Sequence, residues 1–409
     1  MCRTAPGKRR RSGRGRPQGL SVENIMIPIR YNIGSLWVRR TGTLMAVFGI
    51  GLTVSIVVTM MALVQGLEST FVDTGDELNL IVIRQGGLNE VNSFFLRDLF
   101  PTIRFLPGVA KGADGEPLAV GENVVVINHT RLTGESSNII VRGTSDLGFL
   151  LRPEVKMIEG RRLVPGLREI NVSRSLSRRF RDLALGDSIH FARSDWKVVG
   201  IFDSGGTAYD SEIWASYDEV CQDWDRPSYS SVLLRAENAQ AAAAIRKKIA
   251  DDQRINLQAI PQRKYYADQT SSSVGIKALG YFIAIVMGIG ASFAAMNMMY
   301  GAVMARSKEV GTLRAIGFRR RHILSSFMME SVLLGLAGGL LGCLMALPIN
   351  GISTGTANFM TFSEILFNFR ITPGILLNAL LFASLVGALG GYLPARRAAH
   401  TRLIDVLRE

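Results

Sequence analysis

Cysteine is scarce in this chain of 409 residues, which contains three. Cys2, Cys221 and Cys343 lie far apart, in regions of different composition. Three cysteines cannot staple a chain of this length, so a disulfide scaffold is excluded, and we interpret all three as free thiols. With 47% hydrophobic residues, the composition instead favours a protein that has both membrane and soluble parts.

The sequence also lacks the common signatures of catalysis and metal binding. No HExxH, CxxC or GxxxxGK[ST] pattern occurs in it. The four histidines are scattered, at His129, His190, His322 and His400. We therefore predict no catalytic site, no metal site and no cofactor. Without a phosphate-binding loop, any ATP hydrolysis is expected in a partner subunit.

One acidic run is dense enough to suggest cation binding. Its members are Asp203, Asp210, Glu212, Asp218, Glu219, Asp223 and Asp225. Because their spacing does not match that of an EF-hand loop, we interpret the run as the solvated face of a loop.

Acidic residues are few outside the middle of the chain. The stretch from Glu68 to Asp268 contains 25 Lys and Arg against 28 Asp and Glu, whereas the rest of the chain contains 22 against 6. The formal net charge of +13 therefore comes from the flanking regions and is not a property of the middle one.

Four uncharged runs in and around those flanking regions are long enough to cross a membrane. They are Thr41 to Leu67, Ala278 to Ala305, Ser331 to Ser363 and Ile371 to Ala395. About 20 apolar residues in a helix span the hydrocarbon core. The third run is longer than that, and Pro348, Asn350 and Gly351 mark its end. We predict transmembrane helices at 41–67, 274–305, 323–350 and 371–395, with a short exposed connection at 351–370.

Lysine and arginine set the orientation of these spans. Six of them lie between the second and third spans, from Arg306 to Arg321, and four follow the last span. Positively charged loops stay on the cytoplasmic side, so we predict that both termini are cytoplasmic. The loop 306–322 and the tail 396–409 are then inside, and residues 68–273 are outside.

The N-terminus is basic and poor in apolar residues. Seven Lys and Arg, with Gly and Pro, predict a disordered tail at 1–25. Nucleic-acid binding is one interpretation of it, but we favour a solvated or lipid-facing tail and no nucleic acid. Residues 26–40 resemble an amphipathic interfacial helix, and Met26 is a second plausible start of translation.

The outside region, 68–273, has the pattern of an α+β domain with two subdomains. Strands at 78–84 and 118–128 flank an apolar stretch, and strands at 231–236 and 255–260 flank an alanine-rich helix. These patterns indicate two βαβ-like halves. Short β runs between them predict a β-rich subdomain inserted at 138–215.

The most informative segment is the charged stretch from Arg306 to Glu330, between the second and third spans. It contains a Glu-x-Gly-x-x-Arg-x-x-Gly pattern, formed by Glu309, Gly311, Arg314 and Gly317. The GLAGGLLG run and the C-terminal PARRAAHTRLIDVLRE follow it. With the order of one span, a large outside domain and three further spans, these segments resemble the MacB/FtsX-type ABC transporter permeases.

The resemblance implies a permease of the bacterial inner membrane that works as a homodimer or heterodimer with cytoplasmic ABC ATPase subunits. Such systems can also include a periplasmic adaptor protein. ATP-driven motion is then transmitted to a MacB-like periplasmic core domain, and substrate need not pass through a membrane channel. MacB itself carries its ATPase on the same chain, so this sequence is more similar to the split permeases, which lack an ATPase domain of their own.

The same resemblance suggests roles for residues of the inside loop. Glu309, Gly311, Arg314 and Gly317 become candidates for coupling to the ATPase. Arg314 can offer a bidentate fork to an acidic groove of that partner. We interpret Glu330 as a carboxylate near the membrane interface that pairs with one of Arg319 to Arg321, with a proton relay as the alternative.

Glycine spacing predicts close packing of the membrane helices. Three GxxxG patterns occur, formed by Gly335 and Gly339, Gly338 and Gly342, and Gly387 and Gly391. Such patterns let helix backbones approach each other. The alternative is that glycine is simply common in membrane helices.

Taken together, the patterns predict a permease subunit that exports or extracts an amphiphilic substrate. An FtsX-like signalling device that regulates a cell-wall hydrolase is the alternative, and the size of the outside domain favours the exporter. A membrane-anchored binding protein without ATPase coupling is a third interpretation. The sequence leaves open the substrate, its direction of movement, the adaptor, and whether a dimer has like or unlike subunits.

Overall fold

The computed structural model describes residues 40–358 and 360–400. The predicted tail 1–25, nearly all of the predicted interfacial helix 26–40 and the last nine residues of the chain lie outside the described residues. In chain order the helices are α1 Arg40–Val72, α2 Phe100–Arg104, α3 Asp146–Leu150, α4 Arg174–Ser177, α5 Tyr217–Asp223, α6 Ala239–Asp251, α7 Gln262–Gln269, α8 Ser271–Ala305, α9 Ser307–Ala315, α10 Arg320–Ala346 and α11 Pro373–His400.

Four of these helices, α1, α8, α10 and α11, are long and apolar enough to cross a membrane. This confirms the predicted class, an α-helical membrane protein with a large α and β domain between the first span and the others. The first helix continues past the predicted end of its span, through Glu68. It can do so because Glu68 forms an ion pair with Lys277 of α8, so neither charge is left alone among apolar residues.

The strands all belong to the outside domain and to one connection between spans. They are β1 Asn79–Arg84, β2 Phe95–Leu96, β3 Ala119–Thr130, β4 Ser136–Thr144, β5 Lys156–Gly160, β6 Glu169–Ser173, β7 Ser188–Phe191, β8 Ser194–Asp203, β9 Glu212–Ser216, β10 Ser228–Tyr229, β11 Ser231–Arg235, β12 Leu257–Pro261, β13 Ser353–Ala357 and β14 Glu364–Asn368.

The first part of the domain is a four-stranded sheet in the order β12-β1-β11-β3. Every neighbouring pair is antiparallel, so β1 runs parallel to β3 with β11 between them, and β11 runs parallel to β12 with β1 between them. The two predicted βαβ-like halves are therefore interleaved split units, the ferredoxin-like arrangement. Helices α2 and α6 contribute Ile103, Ile245 and Ile249 to the core on this sheet.

The second part of the domain continues from the same sheet. Strand β3 pairs with β11 through its first residues and with β4 from Asn123 to Thr130. The order then runs β4-β9-β6-β8-β5, with β7 beside β8. A separate apolar core, including Trp196 and Phe180, lies in this β-rich part. The two parts thus have their own cores but share one strand.

The connection between the third and fourth spans is where the sequence prediction is wrong. We predicted an exposed connection at 351–370, but β13 and β14 pair as an antiparallel hairpin whose residues Ile365, Leu366 and Phe367 are buried. In the run EILFN, Leu366 joins the core of the β-rich part, whereas Ile365 and Phe367 join a third apolar core that also contains Leu67 of α1 and Trp214 of β9. Burial of such side chains is favourable by roughly 1.5–3 kcal/mol each, and this outweighs exposure as a free loop.

The described residues fall into two compact units. One contains Ile289–Gly338 with the adjoining ends of the first and last spans. The other contains Gly51–Gly288 and Gly339–Leu381, and hence the outside domain and the hairpin.

Candidate coupling site and buried ionic network

The inside loop contains helix α9, a nine-residue helix that begins directly after Arg306. It ends where Gly317 adopts a φ of +107°, a conformation that favours glycine. The Phe318 N–H donates to the Leu313 carbonyl oxygen and the Gly317 N–H to that of Arg314, at 3.1 Å each. This is a Schellman ending, so Gly317 closes the helix and turns the chain toward α10.

Helix α9 is anchored on one side and open on the other. Val310 and Gly311 are buried, and Val310 belongs to an apolar cluster with Ile323 and Phe327 of α10. Glu309 and Ile316 are exposed, Ile316 to 66%. The four coupling residues predicted from sequence are therefore not equivalent: Gly311 packs inward, whereas Glu309 and Gly317 lie at the surface.

Arg306 connects the two ends of this segment. Its guanidinium lies 3.0 Å from Glu309 and 3.2 Å from Glu330, and it stacks over the Phe327 ring. Glu330 is buried, and the structure gives it a partner that the sequence argument had not considered. The pair Arg306 and Glu330 joins the start of α9 to α10.

Arg314 is half-buried near the end of α9. Its Nη1 donates to the carbonyl oxygen of Ala399, 3.1 Å away, in the last turn of α11. A guanidinium at a helix C-terminus also offsets the partial negative charge of the terminal carbonyl groups. This contact ties α9 to the end of the last span.

The predicted packing glycines lie against other helices at distances that leave no room for a side chain. A Cβ on Gly335 or Gly387 would overlap the backbone of the facing helix, and one on Gly391 would overlap Ser331. Gly338 faces Val47 and Ile50, and Gly342 faces Gly51 and Val54, all on α1. Gly339 is buried.

The outside domain contains a fully buried ionic network that the sequence did not reveal. All five N–H groups of Arg142, on β4, donate to carboxylates. Two go to Glu212, two to Glu90 and one to Glu122, at 2.8 to 3.0 Å. Arg152 donates twice more to Glu122. Three carboxylates thus surround two guanidinium groups.

Neutral groups complete the network. Trp214 Nε1 donates to Glu212 at 2.9 Å, Ser231 Oγ to Glu90 at 2.5 Å, and Thr144 Oγ1 to Glu122 at 2.7 Å. A buried carboxylate is tolerated only when its lone pairs are satisfied in this way. The signal in the sequence was weak, since Glu122, Arg142 and Glu212 each stand alone in an apolar strand, and Glu90 and Arg152 lie in loops.

The acidic run is not the solvated loop face that we expected. Asp210, Glu212, Glu219 and Asp223 are buried. Asp210 accepts backbone N–H bonds from Ser204 and Gly206, and Asp223 pairs with Arg168. Among the residues that the structure describes, no group of three or more His, Cys, Asp or Glu side chains is placed to hold a metal ion. The prediction of solvent exposure was wrong for these four residues, whose carboxylates accept hydrogen bonds from arginine side chains or backbone N–H groups, whereas Asp218 and Asp225 are exposed.

Glu122 makes the stability of the domain depend on acid pH. Burial alone would raise its pKa, but the attraction of Arg152 and Arg142 outweighs burial and lowers the pKa from 4.5 to about 2. Because the folded value is the lower one, this stabilisation is complete above pH 4.5 and is lost as the pH falls toward 2. We expect the midpoint of thermal unfolding to drop across this window, and to drop less steeply in Glu122→Gln. Tryptophan fluorescence measures the midpoint, and equal slopes of midpoint against pH for the two proteins would contradict this assignment.

A cleft of about 180 Å³ opens between α1, α8 and α11, at the ends of these helices closest to the outside domain. Most of its wall is apolar, formed by Val57, Met60, Met61, Val64, Ala284 and Ile375. Gln65, Asn378 and the ion pair of Glu68 and Lys277 add polar groups. An apolar wall with a few polar groups on one side is suited to a molecule that has both characters.

Two family models match successive parts of the chain, and the second of them includes most of the second span. The MacB-like periplasmic core domain matches residues 43–252, and the FtsX-like permease C-terminal model matches residues 281–403. The chain belongs to the MacB/FtsX-type family of ABC transporter permeases. This confirms the resemblance drawn from the inside loop, and it places the permease among proteins of the inner membrane.

Named relatives of the permease share a quarter of its residues. The macrolide export ATP-binding/permease protein MacB of Agrobacterium fabrum is 24% identical over 95% of this chain and 61% of its own length. MacB of Escherichia coli is 26% identical over 88% of this chain and 57% of its own length. An uncharacterized ABC transporter permease of Methanocaldococcus jannaschii is 28% identical over 56% of this chain and 58% of its own length. The chain thus spans about three fifths of the length of these curated relatives.

Solved structures similar to the permease are extracytoplasmic domains. The periplasmic region of MacB from Actinobacillus actinomycetemcomitans is 11% identical, with a TM-score of 0.35 over 48% of this chain and 92% of that one. The extracellular domain of the ABC-type transporter YknZ is 15% identical, with a TM-score of 0.32 over 44% of this chain and 99% of that one.

Proposed function

We propose that this chain is the permease subunit of an ABC transporter whose ATPase is a separate cytoplasmic polypeptide. Helix α9 is the observation that carries the proposal. Its inner side is fixed by Val310 and by the pair Arg306 and Glu330, while Glu309 and Ile316 remain exposed. A short helix that is exposed on one side and fixed on the other is suited to bind a partner and to transmit the partner's movement to the spans.

We propose that the inside loop, the C-terminal segment and both termini lie in the cytoplasm and the outside domain in the periplasm, because Lys and Arg are concentrated in that loop and that segment. We propose that two permease copies, alike or related, work together, and that a periplasmic adaptor can join the outside domain. ATP-driven motion then reaches that domain through the spans.

The cleft supports an amphiphilic substrate. Met60 and Met61 adapt to irregular apolar chains, and Lys277 and Glu68 offer charges to a polar head. Export or extraction would then begin from the outer half of the membrane. The test is co-purification of the chain with an ABC ATPase of its source organism, followed by ATP-dependent release of a fluorescent lysophosphatidylglycerol from proteoliposomes. Failure of the two proteins to co-purify, or release without ATP, would contradict the proposal.

Blocking the cleft should stop transport. In Ala284→Trp the indole fills space beside Met60 and Met61, so we expect ATP-dependent release to fall by about tenfold while ATP hydrolysis continues. Ile285→Trp is the matched control, because Ile285 is the next residue of the same helix and is 61% exposed on its surface. Equal release from both variants would show that the amphiphile does not use the cleft.

A further inference from the structure

The hairpin of β13 and β14 is joined to the spans by very short connections. Helix α10 ends at Ala346 and β13 begins at Ser353, while β14 ends at Asn368 and α11 begins at Pro373. The hairpin is closed at its base by a hydrogen bond from the Gly351 N–H to the Phe369 carbonyl oxygen, 2.8 Å long. Only short connections therefore separate the hairpin from the outer ends of the third and fourth spans.

The hairpin is also tied to the first span. The Arg370 N–H donates to the Ala62 carbonyl oxygen at 3.2 Å, and the Arg370 guanidinium pairs with Asp73 at 3.0 Å. Gly66 lies directly against the Asn368 carbonyl group, where any Cβ would overlap it. Both strands of the hairpin thus start from a base that is fixed to α1.

The far side of the hairpin is embedded in the β-rich part of the outside domain. Leu366 lies in the apolar core of that part, and its N–H donates to Ser211 Oγ at 2.8 Å. At the tip, Asn138 Nδ2 donates to the Phe362 carbonyl oxygen at 2.8 Å. These contacts reach elements more than a hundred residues earlier in the chain.

Glu364 is the charged centre of this contact. Its side chain is 1% exposed, and it accepts two hydrogen bonds from Arg131, from Nε at 3.0 Å and from Nη2 at 2.7 Å. Arg179 Nη2 lies 3.4 Å from its other oxygen. Both arginines belong to the β-rich part and keep about a quarter of their side chains exposed. Two donors of Arg131 on one carboxylate oxygen, with Arg179 at the other, fix the orientation of the Glu364 side chain as well as its position.

We infer that the hairpin is the mechanical link by which displacement of the third and fourth spans moves the β-rich part of the outside domain, with Glu364 as its positioning residue. The inference rests on the proposed function. An apolar contact alone could slide, because hydrophobic attraction has no direction. Two arginines on a buried carboxylate hold one register, and breaking them leaves an uncompensated charge.

Glu364→Gln tests the link, since it keeps the size of the side chain and removes its charge. In the purified complex with its ATPase, we expect ATP-dependent release of fluorescent lysophosphatidylglycerol from proteoliposomes to fall by about tenfold, while ATP hydrolysis is unchanged. Glu135→Gln is the matched control, because Glu135 is a second, mostly exposed carboxylate on the same Arg131. It should behave like the parent.

A covalent bridge between the hairpin and β4 should restore the ATP-dependent release that Glu364→Gln removes. Cysteines at positions 138 and 362, bridged by a short bis-maleimide in a background whose native cysteines are serine, would join the hairpin tip to β4. We expect this bridge to recover at least about half of the lost release in Glu364→Gln. If release and ATP hydrolysis fall together in Glu364→Gln and the bridge does not recover release, Glu364 serves folding only. Unchanged release in Glu364→Gln would also overturn the inference.

Hydrogen exchange separates this inference from the proposed function. If the parent complex hydrolyses ATP without releasing the amphiphile, the proposed function fails. The link is then tested by the hydrogen-exchange rates of the Leu366 and Phe367 amides. We expect their exchange to accelerate by about tenfold in Glu364→Gln and not in Glu135→Gln. Exchange equal to that of the parent would overturn the link independently of transport.

Discussion

Replacing Arg142 with methionine is expected to lower the midpoint of thermal unfolding of the outside domain by on the order of 10 °C. The substitution keeps the volume but leaves Glu90, Glu122 and Glu212 buried with Arg152 as their remaining cation. Removing one partner from a buried ionic group costs about 3–5 kcal/mol, and each kcal/mol shifts the midpoint of a domain of this size by about 2–4 °C. Tryptophan fluorescence of the full chain in detergent measures it, since Trp214 bonds to Glu212.

Two further variants show whether the charge is the cause. Arg254→Met removes an arginine whose side chain is 87% exposed beside Asp252, and should leave the midpoint unchanged. Adding Glu90→Gln and Glu212→Gln to Arg142→Met should recover part of the loss, because neutral amides are less costly to bury than unpaired carboxylates. A midpoint for Arg142→Met equal to that of Arg254→Met would refute the account of the network.

Reversing the charge of Arg314 is expected to abolish coupling to the ATPase. We propose that Arg314 also pairs with a carboxylate of the ATPase. Loss of such an interfacial pair costs about 2 kcal/mol or more, so Arg314→Glu should weaken binding of the ATPase by about 30-fold or more. Co-purification and ATP-dependent release of the fluorescent amphiphile measure the effect. The outside domain should keep its unfolding midpoint.

The contact between Arg314 and Ala399 requires its own control. Arg314→Lys can still donate a hydrogen bond to the Ala399 carbonyl oxygen but cannot offer a bidentate fork to a carboxylate. If Arg314 only ties α9 to α11, this variant will couple as well as the parent, and the proposed contact with the ATPase is wrong. Arg320→Glu makes the same charge change at the start of α10 and should have a small effect, because the pattern around Arg314 does not include it.

The membrane part could be predicted because its constraint is local. A helix that spans lipid needs about 20 consecutive, predominantly apolar residues, so the four spans are visible in the sequence without knowledge of their partners. The α and β character of the outside domain was visible for a similar reason, since strands such as LNLIVIR are continuous apolar runs. The family resemblance added the order of the parts.

The buried network could not be predicted because its members meet only through the order of the strands. Glu122 and Arg142 lie on the consecutive strands β3 and β4, but Glu212 lies on β9, which pairs with β4 although it is far along the chain. In sequence each is a single charge in an apolar strand. The hairpin was missed for the same reason, because five residues reading EILFN indicate burial only when their distant partners are known.

The position of β1 in the sheet has a consequence for biogenesis. Both of its neighbours, Ser231–Arg235 and Leu257–Pro261, are synthesised long after it. A strand with two unpaired edges and an apolar sequence is prone to aggregate until those edges are covered. The chain emerging outside the membrane must therefore be protected until the ribosome has passed residue 261, so a holding chaperone at the membrane surface should raise the yield of this permease.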